Sequence, residues 1–62
     1  MTKSSYCESM TDEQVRNIHR QEHDRMLRYG DRTDKVGREI HRGAVALVRD
    51  AQQVMAQRGK EL

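Results

Sequence analysis

Arg28-Tyr29-Gly30-Asp31-Arg32-Thr33 decides the fold of this chain. A helical pattern runs into this stretch and another leaves it, with only three residues, Gly30 to Arg32, left for the connection. Two helices joined so briefly fold back on each other as an antiparallel hairpin. The sequence therefore predicts an all-α hairpin with helices over about residues 12–29 and 32–58, preceded by a leader over 1–10.

Upstream of the connection, the first helix announces its start. Thr11 is placed to cap it, with Gln14 three residues on, and Met10 and Val15 bracket them as a hydrophobic staple. Asp12 and Glu13 put negative charge where the helix dipole favours it. At the other end, Gly30 is expected to supply a left-handed C′ residue after Tyr29. Val15, Ile18, Met26 and Tyr29 recur on one narrow stripe with Glu22 near its middle. A carboxylate in that stripe needs a partner, since an unpaired buried charge costs several kcal/mol. His19, Arg25 and Arg58 are the candidates, and a polar residue that fixes helix register is the plain reading of Glu22.

Downstream, Asp31 or Thr33 is expected to cap the second helix, and Gly59 is its natural stop. Val36, Ile40, Leu47, Ala51 and Val54 recur at helical spacing. Ala44-Val45-Ala46-Leu47-Val48 covers more than a full turn without a polar residue. A strand over 43–48 is the alternative, but no second alternating segment is available to pair with it. One narrow stripe on the first helix cannot cover so wide an arc. Completion of a bundle by dimerisation, or cover by a partner, is expected. Gly43, costly in a helix interior, points to close packing there.

The composition sets outer limits. Sixty-two residues make one small domain, whose core is marginal without a disulfide, metal, oligomer or partner. Cys7 is the only cysteine, so no disulfide forms within the chain, and a reducing compartment, the cytoplasm, is expected. The longest apolar run, 44–48, is too short for a signal h-region or a membrane span, so no membrane partner is expected. A net charge of +2 permits an acidic partner without demanding one.

Little in the sequence suggests chemistry. His19-Arg20-Gln21-Glu22-His23 matches H-x-x-E-H, the inverted zinc-protease pattern, and the two histidines stand one turn apart. A catalytic zinc needs a third ligand and a cleft, which so short a chain does not offer. His19 and His23 are read as exposed polar residues, with a metal site completed by His41 or Cys7 as the lesser possibility. No paired carboxylates, nucleophile–base pair or phosphate-cradling loop is visible. No enzyme activity and no cofactor are expected.

The stronger signal is a ridge. Arg38, Arg42 and Arg49 share one side of the second helix, with Lys35 behind them and Val45 inside the row. An apolar residue among arginines fits a protein-docking face better than a phosphate-only surface. Arg38, Arg42, Val45, Val48 and Arg49 are the expected partner-binding residues. The expected function is that of a small regulatory, inhibitory or accessory protein, of the kind phage and plasmid genomes encode, acting by helix-face binding to a larger protein. A dimeric nucleic-acid-binding regulator that lays the same arginines on phosphates is the alternative.

Overall fold

The computed structural model describes residues 6–62, and among them there are two helices and no strand. Helix α1, Asp12–Tyr29, and helix α2, Lys35–Gln57, pack against each other as an antiparallel pair. The stretch 43–48 lies wholly within α2, which disposes of the strand alternative.

The start of α1 follows its sequence closely. The Gln14 N–H donates to Thr11 Oγ1 at 3.2 Å, and the Thr11 N–H donates to Gln14 Oε1 at 3.0 Å. This reciprocal capping box satisfies two donors that the first turn would leave open. Met10 packs against the cluster that holds Val15, as a staple should.

The connection differs from expectation in two ways. Gly30 has φ −61° and ψ −32°, so α1 does not end on a left-handed residue. The Arg32 N–H instead donates to the Tyr29 carbonyl at 3.2 Å, which closes a tight turn. The second helix starts at Lys35, later than the expected residue 32, and its cap is Asp34 and neither Asp31 nor Thr33. Asp34 wins because its carboxylate does two jobs at once. Oδ2 accepts the Gly37 N–H at 3.3 Å, while Arg32 Nε and Nη2 donate to Oδ1 and Oδ2 at 2.8 and 3.0 Å. Gly37 is what makes room: a Cβ there would lie 2.5 Å from Arg32 Cβ. The glycine therefore lets the stem of Arg32 cross the first turn of α2.

The far end of α2 follows the sequence. Gly59 has φ +71°, the left-handed conformation glycine adopts without penalty. The Lys60 N–H donates to the Met55 carbonyl and the Gly59 N–H to the Ala56 carbonyl, the paired bonds of a Schellman stop.

The seam between the helices is shifted from the expected stripe. Gly37, Ala44, Val48, Ala51, Val54 and Met55 are buried on α2, while Val36 is 61% exposed and Ile40 and Leu47 are half-buried. Ala44 and Ala51 stand in the middle of that seam. Gly43, expected at a close contact, has nothing within 4 Å of the place a Cβ would occupy. On α1, Val15 is fully buried, Ile18 packs against the same cluster, and Met26 and Tyr29 are half-buried.

Part of the expected leader joins this core. Residues 1–5 lie outside the described residues, but Tyr6–Met10 form turns against the hairpin. Cys7 is fully buried beside Val15, Ala51, Val54 and Met55, and its N–H donates to Asp50 Oδ2 at 2.8 Å. Arg58 holds this segment down. It donates to the Glu8 and Met10 carbonyls at 3.1 and 2.7 Å and pairs with Asp12 at 2.7 Å, where Lys60 also pairs. These two cations, Lys60 first, hold the Asp12 carboxyl below its ordinary value.

A candidate docking face on the second helix

Residues 38, 42, 45 and 49 are separated by four, three and four positions, which places them along one side of α2. Arg38, Arg42 and Arg49 are exposed, and Val45 is half-buried between them. Val48 does not belong to this face. It is 5% exposed because its position turns it towards the seam, where it packs within the hairpin.

Of the nine arginines, four are held in ion pairs, and Arg16 and Arg20 on α1 are not among them. Arg25, Arg28, Arg32 and Arg58 are each paired, with Glu22, Asp24, Asp34 and Asp12 respectively. Arg38, Arg42 and Arg49 pair with no carboxylate among the described residues. Near the loop, Arg38, His41, Arg42 and Val45 line one side of an open concavity of about 360 Å³. Tyr29, Gly30 and Arg32 close its other side, and no carboxylate lines it. The Arg32 guanidinium also lies 5.5 Å from the centre of the Tyr29 ring, so that ring is already engaged.

Glu22 is 8% exposed and takes Arg25 as its partner, at 3.4 Å. His19 and Arg58, the other candidates, are directed elsewhere: Arg58 is committed to Asp12 and the leader.

The two histidines of the H-x-x-E-H match stack on one another, with ring centres 5.8 Å apart. His19 Nε2 is buried without a hydrogen-bond partner. No group of three or more His, Cys, Asp and Glu residues that could hold a metal occurs among the described residues. The pair instead borders a second open concavity of about 460 Å³, with Arg16, Arg20, Leu27 and Leu62 around it.

Burial, and then the neighbouring His23, hold His19 below the ordinary histidine value of 6.5. The unfolded chain therefore takes up a proton that the folded chain resists. Stability falls as pH drops through about 6.5 and goes on falling until the folded-state value is passed. Replacing the ring with an apolar chain of similar reach removes both this penalty and the unsatisfied nitrogen. His19→Met is expected to raise the melting temperature more near about pH 5.5 than near about pH 8. Thermal melts of both proteins at the two pH values check this, and equal gains at both would contradict it.

No described helix is long and apolar enough to cross a membrane. No family model, curated protein or solved structure matches this chain.

Proposed function

We propose that this protein is a non-enzymatic regulator, inhibitor or accessory factor that works by helix-face binding to a larger protein. The face is the side of α2 carrying Arg38, Arg42, Val45 and Arg49. The observation that carries this reading is the row itself: three exposed arginines on one side of α2, none answered by a carboxylate among the described residues, stand around a half-buried valine. Unpaired arginines beside an apolar anchor are the composition that interface cores favour.

Capture from a nuclease-treated native extract tests the reading. Val45→Asp is expected to weaken capture of a protein partner about 30-fold or more, the scale of losing one hot-spot residue. Arg38→Ala with Arg42→Ala is expected to weaken it less and to flatten its salt dependence. Sub-micromolar binding of duplex DNA or structured RNA near physiological salt, unchanged by Val45→Gln, would contradict it.

Self-association is a second reading, favoured by a different observation. Neither isoleucine and none of the three leucines is fully buried. Ile40 and Leu47 among them, together with Val36, form a second stripe around the open Gly43. If a second copy covers that stripe, the melting temperature rises with protein concentration. A concentration-independent melt of a compact monomer would count against it.

A further inference from the structure

Resting on the docking reading above, we propose that the occupant of this face is an acidic amphipathic α-helix of the partner protein, its carboxylates spaced to meet Arg38 and Arg42. Three features of the face select that chemistry.

The first is charge. Arg38, His41 and Arg42 line the loop-end concavity with no carboxylate among its lining residues, and the charge of Arg32 is already answered by Asp34. A ligand that supplies carboxylates gains two forked, charge-assisted contacts that the fold leaves open.

The second is spacing. Arg38 and Arg42 lie one turn apart, a rise of about 6 Å, which equals the separation of two glutamates at positions i and i+4 of another helix. Arg49 continues the row at a further rise of about 10 Å. A helix laid along this side therefore meets arginines at intervals that a helical acidic stripe reproduces.

The third is the apolar floor. Val45 sits between Arg42 and Arg49 and borders the concavity, whose volume of about 360 Å³ is at the small end for ligand sites. That space suits one large apolar side chain of a docked helix better than an enclosed cofactor. A phosphate backbone has no group to place on Val45.

Fluorescence anisotropy with labelled probes and the full chain tests the proposal. The probes are a helical peptide of about 14 residues, roughly four turns, with glutamates at i and i+4 and leucine on the same face, its Glu→Gln counterpart, and a DNA duplex of similar length. The acidic peptide is expected to bind about tenfold or more tightly than the glutamine peptide, one decade being modest for two charged contacts. Arg38→Ala with Arg42→Ala should erase that preference, and Val45→Asp should abolish binding of both peptides while circular dichroism shows the helices intact. If both peptides bind equally and Val45→Asp still abolishes binding, the acidic-helix proposal falls and the docking face stands. If the duplex alone binds, insensitive to Val45, both fall. No binding of the acidic peptide at all also overturns the proposal.

Discussion

Met55→Ala is expected to unfold this protein at or near room temperature. Met55, Val15 and Cys7 are the largest fully buried side chains of the described residues, and the core they share with Ala51 and Val54 contains no aromatic, leucine or fully buried isoleucine. Truncating a buried methionine costs about 2–5 kcal/mol, through lost transfer energy and the cavity left behind. A chain of this length has only about 3–9 kcal/mol of total stability at the usual 0.05–0.15 kcal/mol per residue. The loss is therefore comparable to the whole. Leu27→Ala is the control: Leu27 is 66% exposed, and its truncation should change stability by no more than about 0.5 kcal/mol. Urea titrations followed by circular dichroism compare the two. Similar small losses from both would mean that the seam does not run through Met55.

The thiol of Cys7 is expected to react at least about 100-fold more slowly than a free thiol, and Arg58→Ala to restore much of that rate. Burial first, and then the hydrogen bond to Asp50, push this thiol up from 9.0 to about 11. A shift of about two units leaves roughly a hundredth of the thiolate that an ordinary cysteine would present at neutral pH. Access is restricted as well, because the residue is fully buried under the segment that Arg58 ties down. Without the guanidinium, the Glu8 and Met10 carbonyls and the Asp12 carboxylate lose partners on which the leader's position depends. Alkylation followed by mass spectrometry gives both rates, with circular dichroism to show that α1 and α2 persist in the variant. Wild-type Cys7 reacting like a free thiol would contradict the packed leader.

These two residues also show where the sequence was legible. The capping box at Thr11 and Gln14, the stripe of Val15 and Ile18 and the glycine stop at Gly59 are local signals, and each forms as the sequence predicts. The α2 cap was harder, because Asp31, Thr33 and Asp34 are all competent caps. The choice was made by Arg32 folding back over Gly37, a contact no spacing rule encodes. The seam on α2 was misplaced because the helix carries two adjacent apolar stripes and α1 offers only one. The buried stripe is the one carrying Ala44, Val48, Ala51 and Met55, while Val36, Ile40 and Leu47 stay at least partly exposed. Cys7 gave no periodic signal at all, since it is buried against Ala51, Val54 and Met55, which are distant in the chain. Of the residues assigned to the proposed face, the arginines and Val45 fall on one side of α2 by spacing alone. Val48 was not legible in that way, for its side of the helix is fixed only once the seam is known.

Photo-crosslinking from α2 inside cells tests the docking claim most directly. A photoreactive residue in place of Arg49 reports on the proposed face, and one in place of the exposed Glu13 on α1 serves as the control. The account predicts a discrete protein adduct from position 49 and none from position 13, unaffected by nuclease and lost when Val45→Asp is added. An adduct with nucleic acid, or a protein adduct indifferent to Val45→Asp, would contradict it.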